Sequence, residues 1–190
     1  MLEFEQLSAL IKKRRSIFPN SYTDQSIPND TIMSILENAN WAPSHKNTEP
    51  WRYKIIEGSA LVVLGESLAN IHKERNPGET FSSVKYNKLL TNPTKAAAII
   101  AICYHKIPNS GLAEWEEIAA IGASVQNMWL SCTALGIGAF WSSPEEISGL
   151  HNFLKLNEFE SCLGLFYMGY PKIAWPEGSK QDIHKKIEWI

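Results

Sequence analysis

Phe4, Leu7, Leu10 and Ile11 fall on one face of a helix, with acids ahead of them and Lys12, Lys13, Arg14 and Arg15 behind, an order that suits the helix dipole at both ends. The chain is therefore expected to open with an amphipathic helix. Ser16 to Pro28, rich in Pro, Asn, Ser and Asp, predicts irregular chain. Asn29 or Asp30 then caps a second helix, in which Ile32, Met33, Leu36 and Ala39 repeat every three or four positions. It should end near Trp41, because Pro43 disfavours helical geometry at Ala42. Beyond a polar loop, the large residues of Trp51 to Ile56 alternate as in a half-buried strand. From Ser59 to about Leu90 the pattern is helical, broken at Asn76-Pro77-Gly78. Ala96 to Tyr104 is a short apolar run between breakers, which fits a central strand and leaves a buried helix open.

Ala113 to Leu135 is the long helical segment. Asp, Glu, Lys and Arg are absent from Ile118 to Ser143, and Gly122, Ala123, Ser124, Ser131, Cys132 and Ala134 are small. Such a helix runs ~35 Å and, nearly uncharged, requires burial on most sides. Either it packs against a second subunit, making a homodimer, or its own chain wraps it. Ser143-Pro144-Glu145-Glu146 predicts a helix start, with Ser143 as N-cap, Glu146 closing a capping box and a short helix to about Gly149. Cys162 to Met168 reads as another buried strand, ended by Gly169-Tyr170-Pro171, and the polar tail closes on Ile187, Trp189 and Ile190, which are expected to dock. No repeat or linker interrupts the chain, so residues 1–190 are read as a single domain.

With 190 residues the chain can bury roughly 70% of its unfolded surface and needs neither metal nor disulfides to hold a core. Its formal charge of −2, from 18 basic and 20 acidic side chains, removes the electrostatic case for nucleic-acid or anionic-membrane binding. The longest apolar run is about half the ~20 residues that a membrane helix needs. Cys103, Cys132 and Cys162 are odd in number, far apart and set among apolar neighbours, as buried reduced thiols are. With an N-terminus whose charge order reverses that of a secretory signal, this gives a cytoplasmic expectation.

Much chemistry lacks its signature. The five histidines form no HExxH, and no CxxC occurs, so a zinc site has no support. Gly122 to Gln126 fails the GxSxG pattern, Gly136-Ile137-Gly138 is followed by Trp141 where a dinucleotide fingerprint needs Gly, and no P-loop is present. Two segments remain. Arg14-Arg15-Ser16 at a helix end offers two guanidiniums and a hydroxyl, suited to a phosphate or carboxylate, or else is a solvated basic turn. Trp41 to Trp51 gathers aromatic rings, polar side chains and prolines in eleven residues, a surface for a flat heteroaromatic ligand or simply a structural loop.

In order, Arg14-Arg15-Ser16, then Ala42-Pro43-Ser44-x-x-Asn47-x-x-Pro50-Trp51, then the uncharged helix ending Leu135-Gly136-x-Gly138-x-x-Trp141, then Gly169-Tyr170-Pro171 resembles the nitroreductase family of FMN-dependent oxidoreductases, and most closely its short branch. The likeness spans about Leu7 to Pro171. It implies an α+β fold, a mixed sheet flanked by helices with the long central helix at a homodimer interface, and two FMN sites between the subunits. Carried over by position, Arg14 and Arg15 bind the FMN phosphate and the pyrimidine side of the ring, and Ser16 the phosphate or ribityl chain. Trp41 and His45 reach the flavin from the partner, and Trp141, Ser142 and Ser143 pass beneath the ring or beside the phosphate. The implied reaction takes electrons from NADH or NADPH to a small electron-poor acceptor, a nitroaromatic or quinone, by a ping-pong hydride transfer. Reductive dehalogenation, a flavin-dependent oxidation, or a flavin-binding dimer without turnover are the alternatives within the fold. The chain departs from the family pattern at Glu49, where Gln usually precedes Pro-Trp, and at Ser142, often basic in short members. Lys180, Lys185 and Lys186 are candidates for a further basic contact from the tail.

Overall fold

Two helical layers enclose a four-stranded sheet in the computed structural model, which describes residues 3–109 and 111–190; Met1, Leu2 and Ser110 lie outside the described residues. Strands β1 (Trp51–Ile56), β2 (Ala98–His105), β3 (Gly138–Ser142) and β4 (Glu160–Gly169) lie in the order β1-β2-β4-β3. Every neighbouring pair is antiparallel. The parallel component expected of a mixed sheet is confined to a bridge from Ser16 to Ala139. The helices are α1 (Phe4–Lys13), α2 (Asn29–Asn40), α3 (Ser59–Arg75), α4 (Ser83–Thr91), α5 (Glu114–Ala134) and α6 (His151–Leu154). None of the described helices is long and apolar enough to cross a membrane.

The sheet is organised around β2, buried from Ala98 to Tyr104. Ala98, Ile100, Ile102 and Tyr104 meet α2 and α5 through Ile35, Ile121, Val125 and Met128. Ile99, Ala101 and Cys103 meet α3 through Leu61, Leu64 and Leu68 on the opposite face. A strand covered on both faces has no polar side to show, so its sequence reads as an unbroken apolar run and its period is hidden. Each such Ile or Leu contributes about 1.5–3 kcal/mol by leaving water.

Several local expectations change. Pro28 occupies the N-cap of α2, with its carbonyl accepting from Thr31 and Ile32, so Asn29 and Asp30 are inside the helix and cap nothing. Ser143 caps no helix either. Pro144 is the N-cap of a 3-10 turn, Glu145–Gly149, and the Glu146 carboxylate turns inward instead of closing a capping box. Cys162 is half-buried, whereas Cys103 and Cys132 are fully buried, and all three are free thiols. β3 emerges from a glycine-rich stretch with no alternating pattern, because β4 supplies the hydrogen-bonding edge that holds it. The tail docks early: Trp175 Nε1 donates to the Lys13 carbonyl at 2.6 Å and Gly178 lies against Arg15, while Ile187, Trp189 and Ile190 stay exposed.

Two apolar faces remain open. Phe4, Leu7 and Ile11 of α1 face solvent, Phe4 at 81% exposure, and α1 buries no residue. On α5, Trp115 is 69% exposed and Ile118, Ala119 and Leu135 join it, so one chain does not enclose this helix.

At Gly164 a Cβ would stand 2.2 Å from Trp141 Nε1 and 2.7 Å from the Ser142 carbonyl. Gly164→Ala is expected to lower stability by about 1–3 kcal/mol through this overpacking. Urea unfolding should show a lower midpoint at unchanged slope.

Candidate functional site

Ser16 is exposed and bridges Ala139 at the sheet edge, lining neither of two recesses that lie on either side of it in the chain. On one side Ile11, Lys12, Arg14, Arg15, Gly178, Ser179 and Lys180 line a basic recess of about 480 Å³. The α1 C-terminus places the arginines there, and the docked tail brings Lys180, not Lys185 or Lys186, beside them. The guanidiniums differ. Arg15 Nη1 donates to the carbonyls of Lys12 (2.6 Å) and Arg14 (2.7 Å), capping the end of α1, and its buried Nε has no partner. Arg14 instead lies over the Trp129 ring, 4.5 Å from its centroid. Burial, and secondarily the neighbouring Arg15 charge, push Arg14 below the ordinary guanidinium value.

Two residues beyond Ser16, Phe18 opens a cleft of about 360 Å³, walled also by Asn20, Lys85, Lys88, Asn92, Phe140, Ser142 and Pro144. The Phe18 and Phe140 rings stand 4.6 Å apart. This cleft lies on the α3 face of the sheet, whereas Arg14 stacks on Trp129 on the α5 face. Strand alternation splits the predicted Trp141-Ser142-Ser143 group. Ser142 lines the cleft, whereas Trp141 packs on the α5 face with its buried indole N–H lacking an acceptor. Ser143 is exposed at the strand end.

Trp41 and His45 lie elsewhere. Trp41 is 80% exposed, and His45 Nδ1 meets Glu116 Oε2 at 2.5 Å, at the first turn of α5. Trp129, which carries Arg14, is thirteen residues further along the same helix, about 20 Å away. One chain therefore does not bring the predicted residues into one place. Glu49 also stands in this loop; its N–H donates to Ser44 Oγ and its carbonyl accepts from Arg52 Nη1, at 3.2 and 2.9 Å.

A charged cluster that sequence reasoning missed stands behind the cleft. Glu146, at 0% exposure, accepts from His72 Nδ1 at 2.9 Å and pairs with Lys85 Nζ at 2.7 Å. Lys85 also reaches Glu145 at 2.6 Å. His72, Glu145 and Glu146 bring ligand atoms within 4.8 Å of one another, and the Lys85 ammonium already stands on both carboxylates where a cation would sit. Burial pushes the Glu146 carboxyl up, but hydrogen bonds from Lys85, its own backbone N–H and His72 prevail and hold it below its ordinary value. Its only sequence signal, Glu three residues after Ser143, pointed to a capping box.

The fold is α+β, with a basic recess at the end of α1 and a separate cleft lined by aromatic and amide side chains. The sequence model described as Nitroreductase family matches residues 11–170, and the chain belongs to that family. YfhC of Bacillus subtilis, provisionally named an NAD(P)H nitroreductase, is 26% identical over 180 residues, covering 92% of this chain and 89% of YfhC. A nitroreductase-like family protein from Bacillus cereus shares the fold at TM-score 0.82 and 24% identity, over 100% of this chain and 98% of that one. A provisionally named nitroreductase of Desulfovibrio desulfuricans, solved in complex with FMN, superposes at TM-score 0.73 with 26% identity, over 95% and 94% of the two chains.

Loss of Glu146 leaves a buried imidazole N–H and an ammonium without their shared acceptor, so Glu146→Ala should cost about 3 kcal/mol in chemical unfolding at neutral pH. A carboxylate whose folded value lies below its unfolded one contributes stability that is present above the unfolded value and is lost as pH falls through the folded one. The stability gap between wild type and Glu146→Gln should therefore be widest near neutrality and close as pH drops below 4.5.

Proposed function

We propose that this protein is an FMN-dependent oxidoreductase that works as a homodimer and passes electrons from NADH or NADPH to small electron-poor acceptors such as quinones and nitroaromatics. The observation that carries this reading is the basic recess at the end of α1, where Arg14, Arg15 and Lys180 converge, in a chain whose family match covers residues 11–170. These residues fit the anionic tail of such a cofactor. Arg14 and Lys180 would hold the phosphate; Arg15 backs them while capping α1. Ser16 would meet the phosphate or ribityl chain. When bound, FMN supplies the two-electron chemistry, and the chain supplies orientation and charge. Permanent guanidinium charge neutralises the phosphate without a proton to lose. The names of the relatives support both FMN and NAD(P)H as partners of this site.

The dimer follows from α5. A two-fold axis near Gly122 and Ala123 would lay two copies of the helix antiparallel, so the first turn of one meets the last turns of the other. His45 and Trp41 of one chain would then approach the Arg14 recess of its partner. The open faces of α1 and α5 would be covered together.

Freshly purified protein should be yellow and release FMN, and stopped-flow mixing with NADPH should bleach the bound flavin within seconds. A yellow protein that does not bleach would be a flavin binder instead of a reductase. Arg14→Ala should retain several-fold less FMN than Lys12→Ala, and equal flavin content would remove the phosphate assignment. Within one chain a Cβ at Gly122 meets nothing within 4 Å. Gly122→Arg should therefore fold, yet run as a monomer by light scattering and lose flavin; a dimer would move the interface off α5.

A further inference from the structure

An irregularity in the β2–β4 ladder brings two thiols together. Ile102 pairs with Gly164, yet the next residue of β2, Cys103, pairs with Cys162, so Leu163 is the extra residue of a β-bulge. In a regular ladder Cys103 would stand opposite Leu163. With the bulge, Leu163 packs in the core on the α5 side, and Cys103 and Cys162 both join the cluster on the α3 side. The two cysteines are therefore directly opposite each other on one face of the sheet. Such cross-strand partners have Cα atoms roughly 4.5–5.5 Å apart, inside the roughly 4.4–6.8 Å that a disulfide spans. Cys132 belongs to the other face, where its thiol donates to Met168 Sδ at 3.7 Å, and is no part of the pair.

The paired thiols differ in access. Cys103 is fully buried, whereas Cys162 is half-buried near the start of β4, next to exposed Ser161. Hydrogen bonding from the Cys103 thiol outweighs burial and holds Cys162 below the ordinary thiol value; the same contact, together with burial, pushes Cys103 up. One sulfur is thus the accessible nucleophile, and the other waits behind it.

We infer that Cys103 and Cys162 form a reversible oxidation site, which hydrogen peroxide or another small hydroperoxide converts to a disulfide between β2 and β4. The Cys162 thiolate attacks one peroxide oxygen: an S–O bond forms, the O–O bond breaks, and the leaving hydroxide takes the proton that Cys162 released, giving water. The Cys103 sulfur then attacks the sulfur of the Cys162 sulfenic acid. The S–S bond forms, the S–O bond breaks, and the departing hydroxide carries off the Cys103 proton as a second water. Two thiols lose two electrons in all, and the peroxide gains them. A dithiol reductant reverses the change by exchange. No flavin takes part in either step, so the site stands or falls apart from the proposed function.

Purified protein is treated with hydrogen peroxide, unfolded in iodoacetamide without reductant, and mapped by mass spectrometry. A peptide joining Cys103 to Cys162 should appear, with Cys132 alkylated, and dithiothreitol should abolish it. Three alkylated cysteines, a bridge to Cys132, or Cys162 as sulfinic acid with Cys103 alkylated each overturn the site. In Cys103→Ser the sulfenic acid has no thiol to meet, so dimedone should label Cys162, and label on Cys103 in Cys162→Ser should be at least about tenfold lower. Equal labelling overturns the order of attack. The wild-type peptide map decides the site even where a variant fails to fold.

Discussion

A helix of 21 residues, about 31 Å long and uncharged from Ile118 onward, crosses a small sheet that covers only one of its sides. On that constraint the rest of the structure depends. Ile121, Val125, Met128 and Cys132 bind the inner side of α5 to the sheet. Its ends hold the two candidate segments: Glu116 at the start meets the His45 loop, and Trp129 near the end carries Arg14 and donates from Nε1 to the Arg15 carbonyl at 3.1 Å. Its outer side leaves Trp115, Ile118 and Ala119 exposed within one chain.

Charge is arranged by the same economy of space. Arginines adjacent in sequence diverge in structure, one satisfying helix-end carbonyls and the other lying on an indole. Gly178 permits this, since a Cβ there would come within 2.0 Å of the Arg15 guanidinium carbon. Behind the aromatic cleft, His72, Glu146 and Lys85 tie α3 and α4 to the turn that follows β3. Taking a carboxylate out of water costs several kcal/mol unless it is paired and hydrogen-bonded. Here it has both an ammonium and an imidazole, and the arrangement braces the wall that holds Ser142 and Pro144.

The periodic helices were legible along the chain, and so were the two strands at Trp51 and Cys162, because one or both of their faces are apolar over a full element. β3 was not, for its Gly138-Ala139-Phe140 stretch has no period of its own and becomes a strand only beside β4. Caps were misjudged for a related reason: Glu146 had the spacing for a local hydrogen bond, but a buried imidazole and ammonium compete for its oxygens and win. The ordered motif carried the family resemblance although it could not show that Trp141 and Ser142 face opposite ways, or that Lys180, of the three candidate tail lysines, lines the recess of the arginines.

By itself, then, the sequence determined the elements with a strong period, the absence of charge along α5, and the residue types on offer for an anion and a flat ring. These are local properties, set by neighbours three or four positions away. Only the tertiary structure decided which of those residues meet. It separated the two arginines, turned Glu146 inward, brought His45 onto Glu116, and set that pair about 20 Å from Arg14. Such distances arise from close packing of side chains far apart in the chain, and no local pattern encodes them.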